Sequence, residues 1–297
     1  MLISIGSVIL DDVHQRDGTV RRDLMGGGCI HCGMAMRLWC DDVGVLAKHG
    51  EDFPLRLERS LKELFAPEGI IPTSFAHTPH FNQMYRSDGT RYETFQTSFE
   101  EMEAMLPAPT DLPRSWSALD GVYLHGKKDH VTDWAESLRK RGAKLILWEP
   151  IDHFDDPANR QLFIEYARLV DIVSPNLAEI RNLTGRQTLE GIIDFCHQEK
   201  FNHLLLRMGS QGVLVMDKQG KHFTVPPYPE KDIIDATGAG NACCGGFLAG
   251  LVETSDLKQA AYYANVSASL AMRQFGAVYP LEHGQVLARE RLNYFRS

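Results

Sequence analysis

The chain has 297 residues, 43% of them hydrophobic and 24% charged, and its 31 Lys and Arg against 39 Asp and Glu give a formal net charge of −8 at pH 7. A chain of this length buries a core without disulfides or structural metals, and its composition excludes disordered and fibrous proteins. An acidic chain also lacks the basic field with which proteins bind nucleic acid or anionic membranes. We therefore expect a globular protein whose partners are small molecules, with neither nucleic acid nor membrane among them.

The first apolar run covers residues 2–10 and continues directly into Asp11 and Asp12. It is too short to span a membrane, and it lacks the basic residues that open a signal peptide. The run predicts a buried strand of a cytoplasmic protein.

The six cysteines have no secretory context, so we interpret them as reduced thiols. Cys29 and Cys32 have the spacing of half a zinc site or of a redox pair, but no second pair of ligands follows at matching spacing. Two interpretations stay open: a metal or redox centre, or small apolar residues of a packed helix.

Two polar segments, residues 11–24 and 81–97, interrupt the otherwise regular pattern. Each contains an Asp-Gly pair, Asp17-Gly18 or Asp88-Gly89, and such a pair flanked by strand formers is typical of a β-hairpin. We predict that the two segments form a small β lid over the carboxyl edge of the main sheet. Alternating aromatic residues on the second segment either cover a substrate ring or form the face of a homodimer. They are Phe81, Tyr85, Tyr92 and Phe95.

Strands and helices alternate through the middle of the chain, in three units at residues 120–141, 143–169 and 170–183. This alternation of strands and helices is typical of a parallel sheet covered by helices on both faces. Two apolar strands around a glycine-rich bend follow at 203–217, and the last third is largely helical. The prediction is a single α/β domain over residues 1–297, built on a doubly wound, mostly parallel sheet.

Asn176 and Glu179 lie three residues apart, just after a predicted strand. On the first turn of a helix the two side chains share a face, where a carboxylate and an amide could hold a hydrated Mg²⁺ beside nucleotide phosphates. The commoner explanation is an Asn cap with Glu at the third helical position. The two interpretations are compatible.

The most informative stretch is the turn Gly238-Ala239-Gly240, which opens a helix of small residues. Backbone N–H groups at such a turn point the same way and form an anion hole, which suits a phosphoryl group in transfer. The alternative is a glycine-rich helix start packed tightly beneath a neighbouring element.

Four motifs, in their order and spacing, resemble the ribokinase-like (PfkB) carbohydrate and nucleoside kinases over nearly the whole chain. They are Gly26-Gly27 opening the first long helix, Asn176-x-x-Glu179, Arg-Met-Gly-Ser-Gln-Gly at 207–212, and Asp-Ala-Thr-Gly-Ala-Gly-Asn at 235–241. The resemblance implies an ATP- and Mg²⁺-dependent phosphotransferase that acts on the hydroxymethyl group of a sugar or nucleoside.

The resemblance also implies roles for individual residues. The acceptor is bound by Asp11, Gly26, Gly27 and His31. The nucleotide is bound by Asn176, Arg207, Gly209, Ser210, Gly212 and Asn265. The metal residue is Glu179, and the catalytic position comprises Gly238, Ala239, Gly240 and Asn241. A monovalent cation near Asp235 is a further expectation.

Three residues depart from the family pattern. The family's general base, an Asp directly after the glycine turn, is Asn241 here, and an amide cannot accept the proton of the acceptor hydroxyl. Loss of a general base typically costs about 10²- to 10⁴-fold in rate. His31 stands in place of a substrate-contacting Asn. Arg207 stands in place of a Thr, and it either pairs with a phosphate or closes the loop.

Asn241 leaves three interpretations open. The first is a kinase that relies on positioning, Mg²⁺ and the anion hole. The second is a pseudokinase that binds nucleotide and sugar without rapid transfer, and the third is a chain altered to trap a complex. Side chains outside the motifs that could reach the substrate are His77, His80, His125 and Glu149, although a histidine in such a place is more often structural.

Overall fold

The structure, a computed structural model, describes residues 1–86, 91–126, 131–150 and 156–296. Its strands are β1 (Leu2–Ile5), β2 (Ile9–His14), β3 (Val20–Gly26), β4 (Val43–His49), β5 (Ile70–Pro72), β6 (His80–Tyr85), β7 (Arg91–Phe95), β8 (Gly121–Gly126), β9 (Leu145–Pro150), β10 (Ile172–Val173), β11 (His203–Arg207), β12 (Val213–Met216) and β13 (His222–Val225). Its helices are α1 (Gly28–Arg37), α2 (Leu55–Leu64), α3 (Phe99–Ala104), α4 (Val131–Lys140), α5 (Arg160–Leu169), α6 (Leu177–Thr184), α7 (Leu189–Gln198), α8 (Ala239–Thr254), α9 (Leu257–Ala271) and α10 (Leu281–Arg296).

The main sheet has the strand order β13-β12-β11-β10-β9-β8-β1-β4-β5. The strands from β11 to β5 run parallel, and β12 and β13 continue the sheet antiparallel. Because β1 lies between β8 and β4, the strand order reverses there, and folds of this kind bind ligands outside the carboxyl ends of the strands at such a reversal. The predicted doubly wound, mostly parallel fold is confirmed.

Helices cover both faces of the main sheet, because alternate residues of each parallel strand are buried on opposite sides. Val122 and Leu124 of β8 belong to the core beneath α4 to α7. Tyr123, between them, belongs to the core beneath α1, α8 and α9. Tyr123 and the next residue of that parity, His125, therefore face the helices that carry the glycine motifs.

A second, four-stranded sheet has the order β3-β2-β6-β7. Strands β2 and β3 pair antiparallel around the Asp17-Gly18 turn, where Gly18 has φ +84°, and β2 pairs parallel with β6. The predicted first hairpin is thus present. The Asp88-Gly89 pair lies outside the described residues.

The prediction of one buried strand over residues 2–10 was wrong. The chain forms β1 in the main sheet, bends at Gly6 and Ser7, and enters the small sheet as β2. A Cβ at Gly6 would lie 3.2 Å from Cβ of His125, so the bend packs closely on the end of β8. The apolar pattern is continuous because both strands are buried, and hydrophobicity alone does not show that a run changes sheets.

Among the described residues, no helix combines the length and the apolar character needed to cross a membrane.

Candidate active site

A cavity of about 600 Å³ lies between the end of β11, the loop after β13 and the helices α8 and α9. Its lining includes five of the predicted nucleotide residues, Arg207, Gly209, Ser210, Gly212 and Asn265, together with Ala239 and Gly240 of the glycine turn. Apolar side chains form much of the remaining wall, among them Val213, Ile233 and Met272. A cavity of this size with apolar walls and a few polar groups is suited to a flat organic ligand.

Gly212 and Asn265 shape this cavity through the loop after β13. Gly212 has φ +83°, and a side chain there would collide with the carbonyl oxygen of Val225, so the position requires glycine. The side-chain amide of Asn265 donates to the carbonyl oxygens of Val225 and Pro226, at 3.3 and 3.0 Å. Asn265 therefore anchors the loop, and its N–H groups are engaged by the protein.

The glycine turn is bordered by a different side chain on each side. Gly238, the N-cap of α8, has φ +72°, and a Cβ there would collide with the ring of His31. A Cβ at Gly240 would lie 2.5 Å from Nη1 of Arg207. The turn is tightly packed, as one interpretation predicted, and its residues 238–241 are partly exposed. The turn thus separates the cavity from the space around His31.

Asp11 lies within β2 of the small sheet, against Gly26 just before α1. Its carboxylate is 5% exposed, and its Oδ1 accepts a hydrogen bond from Nε2 of Gln83 at 2.9 Å. A Cβ at Gly26 would collide with Oδ2, so glycine leaves the space that this carboxylate occupies. Gly27 follows with φ +99°, against the carbonyl oxygen of Ser7. Asp11, Gly26 and Gly27 therefore form one cluster, fixed by Gln83, which sequence reasoning missed. His31 joins this cluster through its backbone, because its N–H donates to the carbonyl oxygen of Gly27 at 3.1 Å.

Asp235 links the small sheet to the glycine turn. Its Oδ1 accepts hydrogen bonds from the hydroxyl of Tyr85 at 2.7 Å, from N of Thr237 at 2.8 Å and from Oγ1 of Thr237 at 2.6 Å. Gln83 and Tyr85 have the same parity on β6, so one face of that strand contacts both Asp11 and Asp235. This contact explains Tyr85 better than a substrate-covering or dimer role does.

Asn241 is hydrogen-bonded to a buried pair on the main sheet. Its Nδ2 donates to the hydroxyl oxygen of Tyr123 at 3.0 Å and to Oε2 of Glu149 at 3.2 Å. The Tyr123 hydroxyl also donates to that Oε2, at 2.7 Å. An amide is the donor that a buried carboxylate needs here, whereas an Asp would place a second negative charge beside Glu149. The Asn at this position is matched to its surroundings.

Arg207 and Glu149 form a buried ion pair, Nη1 to Oε1 at 2.7 Å. Nη2 of Arg207 also donates to the carbonyl oxygen of Ser174 at 2.9 Å and lies 3.6 Å from Oε2 of Glu179. Burial works to raise the pKa of Glu149, but the Arg207 guanidinium and then His125 outweigh it and hold that pKa below its usual value. Burial opposes the charge of Arg207 as well, yet the Glu149 carboxylate raises the pKa of Arg207. Glu149 is therefore an ionised, internally paired carboxylate.

Comparison with known proteins shows which family this chain belongs to. The model of the pfkB family carbohydrate kinases matches residues 97–284, more than half of the chain. The chain belongs to this family. A cytidine kinase from Thermococcus kodakarensis is 27% identical over 258 residues, covering 84% of this chain and 87% of the relative.

Solved structures of other pfkB-like kinases share the fold. Adenosine kinase from Sinorhizobium meliloti superimposes with a TM-score of 0.78 at 17% identity, over 97% of this chain and 98% of that one. Fructokinase from Vibrio cholerae with fructose, ADP and calcium bound gives 0.75 at 19% identity, over 94% and 95%. The expectation of a sugar or nucleoside kinase is confirmed at the level of the family.

In this pfkB kinase, Asn176 and Glu179 form the predicted helix cap. The side-chain oxygen of Asn176 accepts from N of Glu179 at 2.9 Å, and the Glu179 carboxylate accepts from N of Asn176 at 2.7 Å. The capping box is therefore confirmed.

Two sets of candidates outside the pfkB motifs, two cysteines and two histidines, are engaged by other parts of the protein. Cys29 and Cys32 are fully buried in α1, where burial raises the pKa of both thiols, so they are residues of a packed helix. His77 lies 3.2 Å from a carboxylate oxygen of Asp52, and His80 lies 3.2 Å from one of Asp12. His125, in contrast, lies beside Asn241.

Proposed function

We propose that this pfkB family member is an ATP-dependent phosphotransferase that acts on the hydroxymethyl group of a sugar or nucleoside. One observation carries the proposal: the glycine turn borders the cavity through Gly240 and the Asp11 cluster through His31. A phosphoryl group that moves from a nucleotide in the cavity to an acceptor beside Asp11 passes the N-terminus of α8. Backbone N–H groups at a helix N-terminus stabilise charge on such a group.

The acceptor class follows from the groups around the turn. A carboxylate such as Asp11 accepts hydrogen bonds from paired hydroxyl groups, and Gln83 holds it in one orientation. The bare backbone at Gly26 and Gly27 lets a ring approach closely. These are features for a polyhydroxylated acceptor, consistent with a cytidine kinase as a relative and with fructose bound in a structure of the same fold.

Glu179 fits the proposed role toward Mg²⁺. Its carboxylate is partly exposed and lies 3.6 Å from Arg207, whose side chain lines the cavity. Mg²⁺ usually keeps several waters and takes one or two protein ligands, so a single carboxylate at the edge of a phosphate site suffices. When bound, the ion neutralises phosphate charge. Asp235 fits a monovalent cation less well, because its Oδ1 already accepts three hydrogen bonds.

Arg207 gives the cavity a fixed positive charge at the glycine turn. Its Nη1 is the atom that a side chain at Gly240 would meet, so the guanidinium lies against the proposed anion hole. A planar guanidinium binds phosphate through paired N–H donors. We infer that Arg207 both contacts a nucleotide phosphate and is held in place by Glu149.

One observation favours a second function, a nucleotide- and sugar-binding pseudokinase. Asn241 occupies the position of the family base, and its amide is engaged by Tyr123 and Glu149. A protein with this arrangement could bind ATP without rapid transfer. The two functions share the nucleotide site and differ in whether a phosphorylated acceptor is formed.

The small sheet is proposed to act as a lid within a single domain. Its strand β6 contacts Asp11 through Gln83 and Asp235 through Tyr85. Its other aromatic side chains include Tyr92 and Phe95, which are 40% and 47% exposed. We propose that these residues form the contact of a homodimer.

The nucleotide assignment predicts a rise in thermal stability with MgATP or MgADP. A ligand that binds only the folded state at about 100 times its Kd adds about 2.7 kcal/mol. The Tm of the wild-type chain should therefore rise by several degrees at millimolar nucleotide. Ala268→Phe, which places a ring in the cavity wall, is the matched control and should show no such rise. An unchanged wild-type Tm would refute the assignment.

A further inference from the structure

The side chains of His125 and Asn241 both pack against the backbone of Gly28. A Cβ at Gly28 would lie 2.6 Å from Nδ1 of His125 and 3.0 Å from Nδ2 of Asn241. Gly28 is the first residue of α1 and directly follows Gly26 and Gly27. The imidazole therefore packs against the same residue of α1 as Asn241, which stands at the position of the family's base.

Strand register holds His125 in this place. His125 is the direct partner of Glu149 on the parallel strand β9, so both side chains lie on the face that carries α1 and α8. The ring of His125 stacks on that of Tyr123, with a centroid distance of 5.9 Å and an interplanar angle of 17°. His125 is partly exposed, whereas Glu149 is 4% exposed.

Resting on the proposed function, we propose that His125 is the general base of this kinase, taking the role that an amide at position 241 cannot fill. Asn241 instead positions Glu149, and the Glu149 carboxylate stabilises the imidazolium that forms on proton transfer. The phosphoryl group would thus move past the same glycine turn as in the family, but the proton would be accepted by a side chain of β8 and not by the residue at position 241 in α8.

Glu149 itself is a poor base. Its two oxygens accept from Arg207, Tyr123 and Asn241, and its pKa is held low despite burial. Protonation would break the Arg207 pair and leave a buried guanidinium uncompensated. A neutral imidazole can accept a proton near neutral pH without such a loss.

The O–H bond of the acceptor hydroxymethyl breaks and its proton passes to the ring of His125, while that oxygen forms a bond to the γ-phosphorus of ATP. The bond from the γ-phosphorus to the bridging oxygen breaks, and ADP leaves with that electron pair. The imidazolium then releases its proton to water.

Titratable and charged groups of three strands and one helix surround the imidazole. They are Tyr123 on its own strand, Glu149 on β9 with Arg207 of β11 behind it, and Cys29 of α1, whose Cβ lies near the same bend at Gly6. Burial keeps the Tyr123 hydroxyl and the Cys29 thiol neutral by raising their pKa values. Among the residues that the structure describes, the charge beside His125 is therefore that of the Glu149–Arg207 pair. With His125 as the base, the activity should rise with pH as the imidazole loses its proton.

The test compares the full-length wild-type chain with His125→Ala, using MgATP and the acceptors cytidine, ribose and fructose. We expect kcat to fall about 10²- to 10⁴-fold, with little change in the KM for ATP and loss of the rise with pH. Added imidazoles should restore the rate in order of their basicity, which a structural role of His125 would not produce. His222→Ala, at an exposed position of the edge strand β13, is the control and should match the wild type.

Three outcomes overturn the proposal, and they separate it from the proposed function. If His125→Ala transfers phosphate at the wild-type rate and pH profile, the base is elsewhere and the kinase function stands. If only Asn241→Asp/Glu149→Gln transfers phosphate and the wild type does not, His125 is no base and the pseudokinase is favoured. If neither the wild type nor that double variant transfers phosphate, the proposed function fails as well.

Discussion

Replacing Arg207 with methionine should lower the free energy of unfolding by about 3–5 kcal/mol, because it leaves the buried Glu149 carboxylate without its cation. Glu149 is 4% exposed, and the 2.7 Å pair with Arg207 is its contact with a charged donor. Urea denaturation at neutral pH measures the loss. Raising the nucleotide concentration should not restore the stability, since Arg207 also lines the cavity.

A double variant tests whether the loss comes from the ion pair. Arg207→Met/Glu149→Gln removes both charges, keeps an amide that can accept from Tyr123, and should recover most of the stability lost in the single variant. A single variant as stable as the wild type would show that the pair is solvated. A double variant no more stable than the single would assign the loss to packing of the arginine stem.

Replacing Asn241 with Asp should make stability strongly dependent on pH. The new carboxylate would lie about where Nδ2 now lies, 3.2 Å from Oε2 of Glu149, and two carboxylates this close share a proton. The folded state then holds a proton that the unfolded chain has released, so stability falls as pH rises above the ordinary carboxyl range. The slope is about 1.4 kcal/mol per pH unit until the raised pKa is passed.

The matched variant is Asn241→Asp/Glu149→Gln, which moves the negative charge from position 149 to 241 without adding to it. It should not show the new pH dependence of the single variant. In a His125→Ala background it should also accelerate transfer by about 10²- to 10⁴-fold, because a carboxylate again occupies the family position of the base. Tm values measured at pH 5 and pH 8 show whether the stability of Asn241→Asp depends on pH and that of the double variant does not. Equal Tm losses for Asn241→Asp at the two pH values would contradict it.

The sequence was most informative where function depends on short-range spacing. Gly209, Gly212 and Gly240 belong to motifs a few residues long that are visible in the sequence, and all three residues line one cavity. The parallel sheet was predictable for a similar reason, because each strand–helix unit is a local pattern. The Asn176 cap was visible in the same way.

The missed features depend on contacts between distant parts of the chain. Asn241 and Glu149 are 92 positions apart, and no local pattern indicates that the amide donates a hydrogen bond to a buried carboxylate. Gln83 lies on the small sheet and meets Asp11 through a parallel pairing that the hairpin signals did not predict. A buried polar residue at a strand end, such as Glu149 before Pro150, was the one available signal.

In the proposed reaction, a phosphoryl group passes the glycine turn from ATP to a hydroxymethyl group. The direct measurement incubates the wild-type chain with Mg²⁺ and ATP labelled in the γ-phosphoryl group, in the presence of a panel of nucleosides, pentoses and hexoses. We expect a labelled phosphomonoester of at least one acceptor, and none with Ala268→Phe. A chain that gains thermal stability with MgATP but labels no acceptor would contradict it and identify a pseudokinase.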